Sequence, residues 1–141
     1  MALPLAVMAL VAIAALVACG FAGAVLAQRI GRSAAYAVQA AAAADAGAAL
    51  VIGDWSTHGL DLLVAGDSAV LPRVPLPAGA SYQATVRRLN GELFLVRAEG
   101  VRSDAAGGTL ARREVGIVVR PADSAAAGAV TPLAHRAWEA R

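Results

Sequence analysis

The first 27 residues form one apolar run, because Met1 to Ala27 include no charged side chain. An α-helix of this length is about 40 Å long, which exceeds the ~30 Å hydrocarbon thickness of a bilayer. The pattern therefore predicts a membrane-spanning helix over residues 1–27. The alanine-rich sequence that follows has high helix propensity. We expect the helix to continue outside the membrane over residues 28–55, with Gly53 and Asp54 as terminators.

The pattern changes to a period of two after residue 80. Residues 81–89 alternate polar and apolar side chains, and Asn90-Gly91 is a typical hairpin turn. Two further alternating stretches lie at residues 92–103 and 110–120. Residues 56–80 contain three prolines and predict a connecting loop with a short edge strand around 69–74. Residues 56–121 therefore predict a small antiparallel β-meander, the β headgroup.

The register of the first hairpin follows from matching apolar with apolar positions. A three-residue loop over residues 89–91, with Gly91 left-handed, pairs Tyr82 with Ala98 and Val86 with Phe94. Directly opposed residues share a face of the sheet. We therefore expect this register rather than the one that a two-residue turn would give.

The register of the second hairpin is predicted from charge. One register opposes Glu99 with Arg112 and Arg97 with Glu114. A shift by two residues would oppose Glu99 with Glu114, and like charges directly opposite each other are destabilising. The first register is the one we expect.

The fold class that these elements predict is α+β. Three short strands cannot enclose a core alone, so we expect the sheet to pack on helix residues 34–52. Tyr36, Val38, Ala42, Leu50 and Ile52 form the apolar stripe predicted to receive it. The predicted headgroup core consists of the inward-facing residues Tyr82, Val86, Phe94, Val96, Val115 and Ile117.

The C-terminal residues predict a linker and a short helix over 122–141. The segment after Pro121 is rich in Ala, Gly and Ser, which is typical of a flexible linker. Thr131 is a suitable N-cap, and Pro132 suits the first helical position.

Small residues recur every four positions along the first helix. Such a stripe allows close helix–helix approach in a membrane, although an Ala- and Gly-rich composition also produces such alignments. The expected partners are lipid and other transmembrane helices, from the same or different subunits. The predicted helix-packing residues are Ala15, Cys19, Gly23, Ala27, Gly31 and Ala35.

Two other interpretations of the first stretch are a cleaved signal peptide and a lipoprotein signal. Val25-Leu26-Ala27 would suit a cleavage site, and Leu16-Val17-Ala18-Cys19 is similar to a lipobox. The basic n-region of a signal peptide is missing and the apolar run is too long for an h-region. A lipoprotein would have a polar tether after the cysteine, whereas residues 20–27 are apolar. A retained span is therefore the prediction.

Composition and charge argue against several classes of function. The net charge of +2 comes from 12 basic and 10 acidic residues that are interleaved, so no basic run predicts nucleic-acid binding. The spacing of His58, Asp61 and Asp67 matches no metal site, and His135 is expected at the surface. We find no catalytic set or phosphate loop. The sequence predicts no enzyme, no cofactor and no small-molecule substrate.

The N-terminal region resembles that of type IV minor pilins and pseudopilins. The resemblance rests on the apolar start, Gln28-Arg29-Ile30, Ala37-Val38-Gln39-Ala40 and Ala44-Asp45-Ala46-Gly47, and extends to Leu93–Arg97 in the headgroup. It covers roughly residues 2–120, and its motifs are of low complexity. It implies a structural subunit of the bacterial inner membrane whose helix bundles with others and whose headgroup is extracytoplasmic.

The chain also departs from the pilin pattern. Leu5 stands where major pilins have Glu, and the sequence leaves open whether a leader precedes Met1. Arg29 and Arg32 on the headgroup side favour a cytoplasmic headgroup by the positive-inside rule, which a basic leader would reverse. Two alternatives remain: an accessory scaffold subunit of a respiratory or photosynthetic membrane complex, and a tethered ligand-binding domain.

Overall fold

The computed structural model describes residues 2–122, 130–133 and 139–140. Its first element is one long helix, α1, which spans Ala2–Gly53. The helix ends where sequence predicts, with the backbone N–H of Asp54 donating to the carbonyl of Leu50 at 2.9 Å. The chain divides into two compact units, Met1–Ala35 and Tyr36–Arg141. We call them the helical unit and the sheet unit and describe each by itself.

The sheet unit contains an antiparallel sheet, which confirms the predicted α+β class. The strands within the described residues are β1 Ser68–Val70, β2 Val74–Leu76, β3 Ala80–Arg88, β4 Phe94–Ser103, β5 Thr109–Pro121, β6 Val130–Pro132 and β7 Glu139–Ala140. The strand order is β1-β3-β4-β5-β6, with β2 also paired to β3 and β7 to β5. The predicted edge strand is thus two short strands on β3, on either side of residues 71–73.

The C-terminal part of α1, within the sheet unit, packs on the sheet, as expected. The helix face that does so is not the predicted stripe, since Val38 is 68% exposed and Leu50 is 49% exposed. The face is made of small residues, because two backbones approach each other there. A Cβ at Gly100 in β4 would meet the carbonyl oxygen of Ala40 and lie 2.5 Å from the amide nitrogen of Ala44. The buried helix residues are Ala40, Ala43, Ala44, Gly47, Ala48 and Val51.

The core lies between this helix face and the inner face of the sheet. Trp55 is fully buried and meets Phe94 edge-to-face, with ring centroids 5.1 Å apart. All six residues that the sequence places on the inner face are buried. Leu60 is buried with them and lies in a 3-10 turn over Leu60–Leu62.

The first hairpin has a longer loop than predicted, and the predicted pairing is wrong by two residues. Val86 lies opposite Val96 and Tyr82 opposite Gly100, with residues 89–93 in the loop. The Asn90 side-chain oxygen accepts hydrogen bonds from the backbone N–H groups of residues 92 and 93, at 2.9 and 2.8 Å. Gly91 is not left-handed. These side-chain bonds stabilise a wide loop in place of a tight turn.

The second hairpin adopts the register that we predicted to be disfavoured. Glu99 lies opposite Glu114, and Val96 lies opposite Ile117. The repulsion is offset by arginines, because Glu99 contacts Arg112 at 3.2 Å and Arg73 at 3.3 Å. Arg73 comes from the segment between β1 and β2, within the stretch predicted as an edge strand around residues 69–74.

The predicted C-terminal helix is also wrong where the structure describes that segment. Thr131 and Pro132 lie in β6, opposite Arg120 and Val119 of β5. The backbone N–H of Leu133 donates to the carbonyl of Val118 at 3.0 Å. The open edge of β5 provides backbone partners, and Pro is compatible with an edge strand. Residues 123–129 of the predicted linker and 134–138 of the predicted helix, including His135, lie outside the described residues.

Candidate functional site

The most conspicuous surface of the helical unit is an exposed apolar helix. A membrane-span candidate begins at Val7, and its most apolar 18-residue window has a mean hydropathy of 2.5 with no residue buried. This helix meets the length and composition criteria for a single membrane crossing. The core helix of a soluble protein would be largely buried. The large apolar side chains along it are exposed, among them Leu10, Ile13, Leu16, Val17, Phe21 and Leu26.

The six predicted helix-packing residues are also exposed on α1. A Cβ added at Gly23 or Gly31 would meet no atom within 4 Å, so space for a partner exists at both. Each α-helical residue turns by about 100°, so successive members of a four-residue spacing differ by about 40°. Ala15 and Ala35 are therefore about 200° apart around the helix axis. The stripe winds around the helix, and one straight partner would cover only part of it.

The boundary after the apolar run is polar. Gln28, Arg29 and Arg32 are exposed on α1, and long arginine side chains can reach the lipid headgroup region from such positions. The Ser33 hydroxyl donates to the carbonyl of Ile30 at 2.9 Å, which satisfies it within the helix.

A second polar surface lies on the outer face of the sheet, away from α1 residues 36–53. Glu99 accepts a hydrogen bond from Arg73 and forms an ion pair with Arg112, and Arg97 Nε lies 3.7 Å from Glu114 Oε1. Surface pairs of this kind contribute little to stability, about 0–1 kcal/mol each. These ion pairs instead hold the charged side chains in fixed positions on this face.

A pocket of about 210 Å³ opens on the same face. It crosses β1, β3 and β4, and alternation along those strands brings its side chains together. Its lining combines two arginines, two hydroxyls and one aliphatic side chain: Ser68, Thr85, Arg87, Leu95 and Arg97. This group cannot be identified from the sequence alone, because it depends on the register between strands.

Several polar residues prove to be structural. The carboxylate of Asp61 accepts the indole N–H of Trp55 at 2.8 Å. The Arg88 guanidinium donates to the carbonyls of Leu63, Asn90 and Gly91 at 2.6, 3.0 and 2.8 Å. His58 is exposed in a turn. Within residues 2–122, 130–133 and 139–140, no group of three His, Cys, Asp or Glu side chains is arranged to hold a metal ion.

Gly100 and Gly47 also have structural roles that our sequence analysis missed. A Cβ at Gly47 would lie 2.5 Å from Tyr82 Cδ2. A glycine inside an alternating strand, such as Gly100, is a known signal of close backbone approach. That signal was present in the sequence.

Comparison with known proteins does not assign the chain to a family. No protein-family model matches the chain, and searches of curated proteins and of solved structures also find no match. A long apolar N-terminal helix with a small antiparallel sheet is compatible with a pilin-like architecture.

Proposed function

We propose that this protein is a non-enzymatic structural subunit of the bacterial inner membrane. One helix anchors it, the headgroup is extracytoplasmic, and pilin-like assembly occurs through α1. One observation carries the proposal: the helical unit exposes a continuous apolar surface. Exposed apolar surfaces of this extent mark contacts with membrane or protein.

The energetics favour insertion into a membrane. Nine exposed Val, Leu, Ile or Phe side chains lie between residues 7 and 26. Each contributes about 0.3–0.6 kcal/mol on the insertion scale when near the bilayer centre. The sum is at most about 3–5 kcal/mol, since not all nine lie near the centre, and no charged side chain in residues 1–27 opposes it. Because a helix satisfies its own backbone hydrogen bonds, the anchor is stable in hydrocarbon.

The winding of the stripe supports assembly with several neighbours. Helix association in lipid depends on close packing between small residues. Positions that turn by about 200° along the helix cannot all face one straight partner. A bundle in which each helix touches several others would use the whole stripe, as expected for a filament-type subunit.

The native cysteine offers a direct test of self-assembly. Cys19 is exposed on the stripe and is the only cysteine in the chain. We expect copper phenanthroline to link the full chain through Cys19 in membranes. The matched control is C19A/F21C, which moves the cysteine by about 200° around the helix. That variant should crosslink much less.

The outcomes separate the candidate functions. Crosslinking at residue 19 that is lost on Gly23→Leu supports packing between copies, provided that near-UV circular dichroism shows a folded headgroup. Equal crosslinking at residues 19 and 21 would indicate random collision and contradict a specific face. No crosslink between copies, with one between Cys19 and an unlike subunit, would favour the accessory-subunit alternative. Protease protection of the headgroup in spheroplasts would contradict the proposed orientation.

A further inference from the structure

Two arginines share one pocket on the outer face of the sheet. In the paired strands, Ser68, Arg87 and Leu95 form one cross-strand row, and Thr85 and Arg97 belong to the next. Arg87 and Arg97 are therefore diagonal neighbours on adjacent strands. Diagonal positions are ~7–8 Å apart, within reach for long side chains. Both side chains line the pocket of about 210 Å³.

The charges of this pair are less well compensated than those of Arg73 and Arg112 on the same face. Arg73 and Arg112 share Glu99 at 3.3 and 3.2 Å. Among the described residues, Arg87 has no carboxylate within 4.0 Å and no side-chain hydrogen bond. Within the described residues, the one ion pair of Arg97 is with Glu114, through Nε at 3.7 Å, and Glu99 and Glu114 line a neighbouring pocket with it. That distance exceeds the ~2.7–2.9 Å of a strong charge-assisted hydrogen bond.

The remaining lining supplies further donors and an apolar floor. In the described part of the chain, the hydroxyls of Ser68 and Thr85 make no side-chain hydrogen bond, and each can donate one proton. Each guanidinium presents a planar fork of N–H groups that suits oxyanions. Leu95 and the aliphatic arginine stems form the apolar part of the wall.

We propose that this pocket binds a tetrahedral oxyanion, a phosphate or sulfate monoester, between Arg87 and Arg97. Two guanidiniums and two hydroxyls match an anion with three or four acceptor oxygens better than a carboxylate, which one arginine fork can satisfy. The apolar floor favours an ester with an organic group over the bare ion. The anion also screens the repulsion between the two arginines. This site is independent of how the chain assembles.

The test uses the full chain in maltoside micelles and chloride buffer, with nitrogen-15 in its arginines. Inorganic phosphate is titrated while the Nε–Hε signals are followed, and Arg87→Gln and Arg97→Gln assign them. We expect saturable shifts at Arg87 and Arg97 only. Arg87→Gln should weaken binding about tenfold or more, the loss expected for hydrogen bonds to a charged group. The control Arg112→Gln, on the same face, should change it by less than about twofold.

Further titrations identify the source of the anion. Phenyl phosphate should bind more tightly than phosphate, and acetate more weakly. Phosphatidic acid in the micelles tests a lipid phosphate, and saturation at Arg87 and Arg97 with that lipid alone would assign the site to lipid headgroups. Small linear shifts at all exposed arginines, or equal losses in the Arg87 and Arg112 variants, would overturn the proposal. None of these results depends on crosslinking at Cys19.

Discussion

Replacing Gly100 by alanine should separate the sheet from the helix that covers it. The added Cβ would meet the carbonyl oxygen of Ala40 and lie 2.5 Å from the amide nitrogen of Ala44. A non-bonded contact to carbon is optimal at ~3.5–4.0 Å, so the deficit is about 1 Å. Both obstructing atoms belong to helix backbone, which cannot rotate aside as a side chain could. The helix must move as a body.

The magnitude follows from that displacement. A gap of 0.5–1 Å removes about a quarter to a half of the dispersion attraction between the surfaces it separates. Overpacking of a close-packed core costs about 1–3 kcal/mol, and a backbone obstruction favours the upper end. Alanine also lowers the conformational entropy of the unfolded chain relative to glycine, and this offsets up to about 1 kcal/mol of the cost. We expect Gly100→Ala to lower the free energy of unfolding by about 2 kcal/mol, or Tm by ~8–16 °C.

The assay is denaturant unfolding of the full chain in detergent, followed by near-UV circular dichroism. A Trp138→Phe background leaves Trp55, buried against Phe94, as the reporting tryptophan. The matched control is Gly116→Ala in β5, whose new Cβ would lie 3.9 Å from Leu95 Cδ1, an ordinary contact. It should be neutral or slightly stabilising. Equal stability of the two variants would refute the close approach between helix and strand.

Substitutions at three further positions test other parts of the sheet unit by the same assay. Arg88→Ala removes three hydrogen bonds to backbone carbonyls, including that of Leu63. We expect the free energy of unfolding to fall by about 2 kcal/mol, and an unchanged denaturation midpoint would contradict this role. Asn90→Ala removes the side-chain acceptor of two loop N–H groups and should cost about 1 kcal/mol, whereas Asn90→Asp, which keeps the acceptor, should cost less. Glu99→Gln weakens two surface ion pairs but also relieves the opposition to Glu114, so we expect a change within about 0.5 kcal/mol; a loss above 1 kcal/mol would show that the pairs matter more than their exposure suggests.

Hydrophobic periodicity predicted the elements of this fold and failed on their pairing. The end of α1 at Gly53 follows from the terminators Gly53 and Asp54, and the inward faces of β3, β4 and β5 follow from a pattern with a period of 2. A shift of two residues keeps every side chain on its own face, so alternation cannot distinguish the two registers. Loop chemistry distinguishes them, through the Asn90 side chain in the first hairpin.

The register of the second hairpin shows why comparing the charges of directly opposed residues did not predict the strand pairing. That comparison covered Glu99 with Glu114 and Arg112, and Arg97 with Glu114. It omitted Arg73, which approaches Glu99 from the segment between β1 and β2. A cation from a third segment changes the balance between two strands, and its position depends on the tertiary fold. The anion pocket was missed for the same reason, since it joins residues of three strands.

Small residues are the ambiguous part of this sequence, because alanine and glycine serve close backbone approach in water and in lipid alike. In the sheet unit the structure shows which residue meets which: Gly100 lies against the helix backbone at Ala40, and larger side chains such as Val38 remain exposed. The predicted stripe, which relied on larger apolar residues, is the wrong face of the helix for this reason. In the helical unit, Gly23 and Gly31 also leave room for close approach of a backbone. No atom of the described chain lies within 4 Å of a Cβ added at either position. If the same packing logic applies there, the backbone that fills this space belongs to another helix, and Gly23→Leu should block its approach as Gly100→Ala blocks that of α1.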